Sequence, residues 1–367
     1  MRRNRSFFAR EKSKKPPLAA VLAAAAIAIA TQLADTGAHR AAAAEAFKVI
    51  DQPIRVEGVS STIPAINVEG STYVGLRVLN EKLGLTTEWD ESAKKITVLG
   101  NGRTLVLKLK TGETTLNDQS IHGLPTVNQD GWTYLPLRFL MERMGYGVDY
   151  DPATRRIEIG KIAENAATIA TAKIAESRDK PELSLEVNYP VLSGLADPAV
   201  QDKINAFLKS EAESHASSGK FVLERAVADM EGGPDEAIRP VSFQGSYYVT
   251  YNENNRLSLY VDYYQYTGGA HGITVRVPYA FDLATGEKLT LQEAAGGNPG
   301  YVKIINAEIS KQIKARNVPM LTPFVTIKPN QPFYLTHEGL SIFFQQYEYT
   351  PYAAGIPEFR IPYTAFG

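Results

Sequence analysis

The side chains best suited to bind or react with another molecule lie in two stretches of the C-terminal half, residues 260–272 and 347–355. Tyrosine is concentrated there, and one histidine stands in a glycine-rich bend. Exposed tyrosines are typical of protein and glycan recognition, because the ring offers apolar area and the hydroxyl group a hydrogen bond. We therefore predict a ligand-binding surface formed by Tyr263, Tyr264, Tyr266, His271, Tyr347, Tyr349 and Tyr352. Because side chains alternate between the faces of a strand, about half of the tyrosines in these stretches should be core residues.

His271 is the residue to weigh for catalysis. It could contact a ligand, act as a general base beside Asp262, or serve as a hydrogen-bonded turn residue, which is the role that we favour. His215 and His337 stand apart without metal-ligand spacing. The sequence has no Gly-x-Ser-x-Gly or His-Glu-x-x-His motif, and its glycine-rich bend lacks the lysine of a phosphate loop. We expect no catalytic residue, no metal, no cofactor and no enzymatic activity.

Alternating residue types predict the strands that position these side chains. Residues 247–251 and 257–264 alternate in character around an Asn-rich turn, a pattern typical of a β-hairpin. Three glycines in residues 267–272 then break the second strand, and a third strand is predicted over 273–283. The sequence thus predicts an antiparallel meander with an unusually aromatic face.

Composition sets broad limits on the kind of protein. The 367 residues are enough for two or three domains, and 44% hydrophobic with 22% charged residues is ordinary for a soluble globular protein. The formal net charge is −1, and removing the +6 of residues 1–44 leaves −7. A mildly acidic chain does not suit a nucleic-acid partner.

The first 44 residues have the pattern of a targeting segment. A basic stretch to Lys15 precedes the apolar run 18–30, and small residues follow at 41–44. The run is short for a bilayer, which needs roughly twenty residues, so we favour a signal peptide cut near Ala44 over an uncleaved anchor. The absence of cysteine excludes disulfides, thiolate metal sites and a lipid-modified cysteine. We expect an extracellular or cell-wall location, and export without disulfides suits a single-membrane bacterium.

An internal repeat organises residues 47–160. Two copies are related by an offset of 61 residues, which pairs Gly70 with Gly131, Tyr73 with Tyr134, Arg77 with Arg138, Gly84 with Gly145, and Trp89 with Tyr150. Each copy predicts a short strand, a helix (76–83 and 137–144), a glycine stop and two strands. We expect Trp89 and Tyr150 to be core residues. For Arg77 and Arg138 we favour a structural bridge between helix and sheet over a ligand contact.

These motifs resemble the copper amine oxidase N-terminal-like (stalk) domain of secreted bacterial proteins, over about residues 63–159. The resemblance implies a stalk or attachment module. It does not imply oxidase chemistry, because the quinone cofactor and copper-ligating histidines of the oxidase belong to a catalytic domain with no counterpart here.

The C-terminal part is expected to mix strands and helices. Residues 168–175 and 183–189 predict a hairpin after a short linker. Asp197 and Pro198 are typical of a helix start, and the helix should continue to Met230 with an interruption at 217–219. A helix over 301–316 and strands near 333–335, 340–346 and 358–363 should follow.

A second resemblance covers about residues 183–366. Residues 187–190, with the helix that starts at 197–198, are similar to one extracytoplasmic domain of unknown function; residues 266–272, 281–286, 333–339 and 347–355 are similar to its usual companion. That pair occurs in lysozyme-sensing RsiV-type anti-sigma factors and beside the catalytic domain of a peptidoglycan deacetylase. We expect neither a sigma-factor-binding domain before Leu18 nor a deacetylase domain after the pair. Of the activities of those proteins, only the sensing or binding of a ligand therefore remains as an expectation.

Together these patterns predict an α+β protein in which a repeated strand-helix-strand stalk precedes an antiparallel sheet with helices. The expected divisions are a signal peptide (1–44), a stalk (47–160), a linker with a first strand (161–180) and a binding domain (181–367). We expect an exported, non-enzymatic envelope protein that binds a lysozyme-like muramidase or a wall glycan. A purely structural adaptor and a cryptic peptidoglycan-modifying enzyme are the alternatives. A membrane contact is expected only if the signal segment stays uncleaved.

Overall fold

The N-terminal half is built from twelve strands and two short helices. The computed structural model of the protein describes residues 46–68, 70–121, 126–231 and 239–367, so the predicted signal peptide lies outside the described residues. The elements are β1 (Ile50–Val56), β2 (Val59–Val68), β3 (Ser71–Gly75), α1 (Leu76–Leu83), β4 (Thr86–Asp90), β5 (Lys95–Gly100), β6 (Arg103–Lys108), β7 (Glu113–Leu116), β8 (Gln119–Ile121), β9 (Val127–Gln129), β10 (Trp132–Pro136), α2 (Leu137–Arg143), β11 (Tyr146–Asp151) and β12 (Arg156–Lys161). They form a seven-stranded sheet of order β11-β12-β1-β2-β3-β10-β9 and a five-stranded sheet of order β4-β5-β6-β7-β8.

The structure contains both copies of the predicted repeat. The first strands of the copies, β3 and β10, pair antiparallel, and each runs directly into its helix. Gly84 (φ 67°) and Gly145 (φ 85°) stop the helices in the left-handed region that favours glycine. The closing hairpins differ in place: β4–β5 joins the five-stranded sheet, whereas β11–β12 joins the seven-stranded sheet.

Trp89 and Tyr150 are not core residues, and that prediction is wrong. Trp89 is 46% exposed and Tyr150 is 52% exposed. Both rings stand one position before an aspartate, Asp90 or Asp151, whose carboxylate accepts backbone N–H groups of the hairpin turn. These turns face solvent, so the adjoining ring stays at the surface with them.

The matched arginines have different partners. Arg77 lies over the ring of Trp132 on β10 at 5.3 Å, which is a helix-to-sheet contact of the kind expected. Arg138 instead forms ion pairs with Glu142, one turn along α2, and with Glu338 in the C-terminal half. The structural role of Arg138 therefore reaches across the molecule.

The described residues of the C-terminal half add eight strands and three α-helices. They are β13 (Thr168–Asp179), β14 (Glu182–Ser193), α3 (Pro198–Glu231), β15 (Val241–Glu253), β16 (Arg256–Tyr266), β17 (Ile273–Asp282), α4 (Leu291–Ala294), α5 (Tyr301–Arg316), β18 (Phe333–Thr336), β19 (Gly339–Phe343) and β20 (Glu358–Pro362). The first five strands form one sheet in chain order, and the last three form a second. The predicted hairpin at the junction and the predicted meander are both present.

Helix α3 crosses one face of the sheet β13–β17 without a break, so the predicted interruption at 217–219 is wrong. Asp197 caps its start by accepting the Ala199 N–H at 2.8 Å, as expected. Buried residues recur every three or four positions along the helix, and Gly219 is one of them. A Cβ at Gly219 would lie 2.5 Å from the ring of Phe243, so close packing, rather than a bend, explains the glycine.

The two halves share a hydrophobic core. Tyr248, Tyr260, Tyr334 and Phe343 of the C-terminal strands belong to the same buried cluster as the helices and sheets of the N-terminal half. Residues 46–367 form one compact unit. The architecture is α+β with antiparallel-rich sheets, which confirms the predicted fold class. In the part of the chain that the structure describes, no helix has the length and apolar character needed to span a membrane.

Candidate functional site

The aromatic side chains of β16 divide between its two faces. Tyr263 is only 4% exposed, stacks on His215 of α3 at 4.0 Å between ring centroids, and lies 5.8 Å from the ring of Phe243. Burial raises the pKa of Tyr263 above its ordinary value. The structure thus places this predicted ligand contact in the core.

Tyr264 and Tyr266 shape the glycine-rich bend. A Cβ at Gly272 would overlap the ring of Tyr264, so the backbone at that position approaches the ring as only glycine permits. The Tyr266 hydroxyl donates to the carbonyl oxygen of Gly269 at 2.9 Å. Both tyrosines are half-buried and hold the bend in place.

His271, at the end of the bend, is exposed and stacks on Tyr352. The ring centroids are 3.9 Å apart with an interplanar angle of 21°. Its Nδ1 lies 3.1 Å from the carbonyl oxygen of Gly272. Asp262 does not serve His271, because both of its carboxylate oxygens accept hydrogen bonds from Arg276, at 2.7 and 2.8 Å. The general-base role beside Asp262 is therefore wrong.

The loop that carries Tyr347 and Tyr352 is fastened to β17, the edge strand of the sheet β13–β17. Gln345 Oε1 accepts the Arg276 N–H at 3.0 Å, and Gln345 Nε2 donates to the Arg276 carbonyl oxygen at 2.7 Å. Gln346 Oε1 accepts the Thr274 N–H at 2.8 Å. Two glutamine side chains thus satisfy the free backbone groups of the edge as a further strand would.

Exposed apolar side chains stand both on this loop and on the edge strand. Tyr347 is 50% exposed and lies 5.8 Å from Tyr352, while Ile273 and Val275, on either side of Thr274, are each 47% exposed. We call this set the β17-edge surface: His271, Ile273, Val275, Tyr347 and Tyr352. Tyr349 lies in the same loop but is not part of this surface, because its ring packs edge-on against Phe344 at 4.6 Å.

A buried ion network fixes β17 from behind. Arg276 is buried, pairs with Asp262 and Glu358, and lies over the ring of Tyr260 at 3.8 Å. Burial opposes its charge, but the hydrogen bonds with Asp262 and the nearby acidic groups hold the pKa of Arg276 above its ordinary value. The strand therefore presents the surface from a rigid support.

Among the residues that the structure describes, no three histidine or acidic side chains are grouped to hold a metal ion. Sequence reasoning missed Ile273 and Val275, and also the glutamines that fasten the loop. Alternation alone marks Ile273 and Val275 as residues of one strand face. Their exposure follows from β17 being the edge strand, which a sequence pattern does not give.

Three segments of the chain match known domain families. Residues 55–159 match the copper amine oxidase N-terminal domain, residues 176–274 match deacetylase PdaC, and residues 297–364 match a protein family of unknown function, DUF3298. Both predicted resemblances are thereby confirmed.

Individual proteins are also similar to parts of this chain. The anti-sigma-V factor RsiV of Bacillus subtilis is 25% identical over 241 residues, which is 59% of this chain and 74% of the relative. A DUF3298 family member from Bacteroides fragilis has 21% identity and a TM-score of 0.43, covering 55% of this chain and 92% of its own. A DUF3298 family protein from Pseudomonas aeruginosa has 18% identity and a TM-score of 0.37, covering 54% and 92%.

Proposed function

We propose that this is an exported, non-enzymatic cell-envelope protein whose C-terminal half captures a lysozyme-like muramidase on the β17-edge surface. The N-terminal half then serves as spacer or wall attachment. The similarity to RsiV and to the PdaC and DUF3298 families supports the coarser statement, an extracytoplasmic protein of the cell envelope. The predicted signal peptide of residues 1–44 is consistent with it.

The observation that carries the proposal is the stacked pair of His271 and Tyr352 next to exposed Tyr347, on a loop fastened to the strand of exposed Ile273 and Val275. Aromatic anchors surrounded by apolar area are the usual centre of a protein–protein contact. Because Gln345 and Gln346 hold the loop against β17, little ordering entropy is lost when a partner binds.

Charge favours a basic partner. The chain without residues 1–44 has a formal net charge of −7, and egg-white lysozyme is a basic protein. Opposite net charges raise the association rate and make it sensitive to salt, whereas apolar anchoring is retained as salt increases. Salt-tolerant affinity is therefore what the proposal requires.

One alternative rests on a specific observation. Residues 176–274 match the deacetylase PdaC family, which keeps peptidoglycan modification as a second candidate function. A wall glycan as ligand, and a purely structural adaptor, are the remaining outcomes that an experiment must separate.

The first experiment is calorimetric titration of residues 45–367, the chain without the predicted signal peptide, with egg-white lysozyme at moderate ionic strength. We expect saturable one-to-one binding that persists as salt is raised. Tyr352→Ala removes the partner of His271 and should weaken binding by about 1–3 kcal/mol. Tyr347→Gly should do the same without loss of fold stability, because Tyr347 has φ 65° and glycine adopts that angle freely.

Tyr150→Ala is the matched control, since Tyr150 is a tyrosine of similar exposure in the N-terminal half. It should leave the affinity unchanged. Absence of heat, or binding that disappears at modest salt, would show that this chain does not capture lysozyme. Cosedimentation with purified peptidoglycan would then test the glycan and adaptor alternatives, and release of acetate from labelled wall would test the enzymatic one.

A further inference from the structure

A cavity of about 410 Å³ lies between the two halves of the molecule. Its lining includes backbone and side chains from the β6–β8 region, the end of α2, β15 and the β18–β20 sheet. The volume falls within the range of small-molecule sites, roughly 300–1,000 Å³. No residue of the β17-edge surface lines this cavity, so the proposed function does not explain it.

The carboxylates that line the cavity are already paired. Glu164 accepts from Arg103 at 2.6 Å, and Glu142 accepts from Arg138 at 3.1 Å. The other two, Glu338 and Glu358, form ion pairs with Arg360 and Arg276, respectively. Each acid of the lining therefore forms its ion pairs with arginines other than Arg143.

Arg143 is the arginine of the lining without such a partner. It lines the cavity, and no ion pair joins it to a carboxylate within the described ranges. Its Nη1 makes a long contact of 3.4 Å with the Phe139 carbonyl oxygen, and its Nε is shielded from solvent without an acceptor. Burial lowers the pKa of Arg143, which the neighbouring Tyr260 and Tyr248 phenols and more distant acids only partly offset.

Arg103 on the same cavity wall has a related deficit. Its Nη2 pairs with Glu164, but its Nη1 is buried and has no acceptor. A buried donor without a partner costs about 1–3 kcal/mol in stability, and an unpaired buried charge costs more. Arg143 and Arg103 thus both line the cavity, and each has hydrogen-bonding capacity that the described residues leave unmet.

The internal repeat shows that Arg143 is not needed to end its helix. The offset of 61 residues pairs Arg143 with Lys82, which occupies the last turn of α1. A cation there interacts favourably with the helix dipole in both copies. Lys82 achieves this while exposed to solvent, so the dipole does not explain why Arg143 carries its charge into a cavity.

We propose that the cavity is a binding site for a small organic carboxylate, held by the guanidinium of Arg143 with support from Arg103. The planar fork of a guanidinium matches the two oxygens of a carboxylate. The amide and hydroxyl groups of Asn117, Gln119, Thr250 and Thr336 also line the cavity, but each already bonds to a backbone group, so recognition falls to the guanidinium groups.

The test is calorimetric titration of the full chain with three probes at constant ionic strength: N-acetylmuramic acid, succinate, and uncharged N-acetylglucosamine. We expect saturable binding of carboxylate probes and no heat from N-acetylglucosamine. Binding of N-acetylmuramic acid alone assigns a sugar acid from the wall, whereas binding of both acids assigns a free small carboxylate. No saturable heat with either acid overturns the proposal.

Arg143→Met keeps a long apolar side chain and removes the charge. It should abolish carboxylate binding, and Arg143→Lys should weaken it roughly tenfold because the fork is lost. Without probe, Arg143→Met should not lower the melting temperature, since an uncompensated buried charge is removed. Lys82→Met is the matched control and should leave binding intact.

Equal affinity of Arg143→Met and the parent chain would place the heat elsewhere and overturn the proposal. A lower melting temperature with unchanged binding would instead make Arg143 a structural residue. If Arg143→Met does not fold, Arg143→Lys and Arg103→Met decide: both should weaken binding of the carboxylate that the parent chain takes, and unchanged binding in both contradicts the site.

Discussion

Tyr263 and Tyr264 are neighbours in the sequence, yet one stacks on α3 and the other shapes the bend at Gly272. Alternation predicted that such neighbours would separate to opposite faces. It did not predict which face is covered, because that depends on the position of α3, some fifty residues away in the chain. Five of the seven predicted contacts lie on or near the bend and the fastened loop, whereas Tyr263 and Tyr349 pack mainly inside.

His215 should make the fold sensitive to acid. Its ring stacks on Tyr263, and burial lowers the pKa of His215 from its ordinary value of 6.5, with the Glu211 carboxylate opposing the shift. The unfolded chain then binds this proton more readily than the folded chain. The contribution to stability is therefore full above the ordinary pKa and is lost as the pH falls through 6.5 toward the folded value.

His215→Phe keeps a ring on Tyr263 and removes the titration. Urea unfolding at about pH 8 and about pH 5 should show a smaller loss of unfolding free energy in the variant than in the parent chain. The two proteins differ only at position 215, so the difference between their acid losses reports on His215. An equal acid loss in the two proteins would refute the assignment to His215.

At the scale of elements, local sequence patterns predicted helix ends well where glycine serves only to adopt a positive φ. Gly84 and Gly145 were expected to stop helices, and both have positive φ. Gly219 was expected to lie in an interruption of α3 at 217–219, but there it permits close packing on Phe243. The two uses of glycine are indistinguishable in sequence, because the second depends on a ring contributed by another strand.

Gly219→Ala tests this difference. Alanine favours a helix over glycine by about 1 kcal/mol, so an interruption or an open helix face would give a gain in stability. In this packing the added methyl group meets the Phe243 ring, which is itself confined by Tyr263. We expect a net loss of roughly 1–3 kcal/mol in the free energy of unfolding.

Ser218→Ala, at the adjacent exposed position, is the control and should be neutral or slightly stabilising. Combining Gly219→Ala with Phe243→Leu should show coupling, since a smaller, non-aromatic side chain leaves room for the methyl group. Additive effects in this double-mutant cycle would contradict the close contact.

At the scale of the whole molecule, sequence comparison divides the chain into modules, whereas packing joins them. The three family matches follow one another along the chain without overlap, and the paired positions of the internal repeat lie within the first of them. The shared core does not follow those boundaries, because Tyr248, Tyr260 and Tyr334 of the C-terminal half pack into it. Contacts of this kind link residues nearly two hundred positions apart, beyond any local pattern.

Gln119 on β8 is the clearest polar link between the halves. Its side chain is buried, donating to the Tyr247 carbonyl oxygen at 2.6 Å and accepting the Tyr247 N–H at 3.2 Å. Gln129 makes the same pair of bonds to the backbone of Phe47, but at an exposed position. The two glutamines therefore differ mainly in burial.

Gln119→Ala should lower the free energy of unfolding by about 1–3 kcal/mol, because the backbone groups of Tyr247 are left buried and unpaired. Gln129→Ala should cost at most about 0.5 kcal/mol, since water replaces its bonds. Differential scanning calorimetry should show one transition for the parent chain, shifted as a whole by Gln119→Ala. Two separate transitions, with only one of them shifted, would mean that the N-terminal half is an independent spacer and that the shared core contributes little to cooperativity.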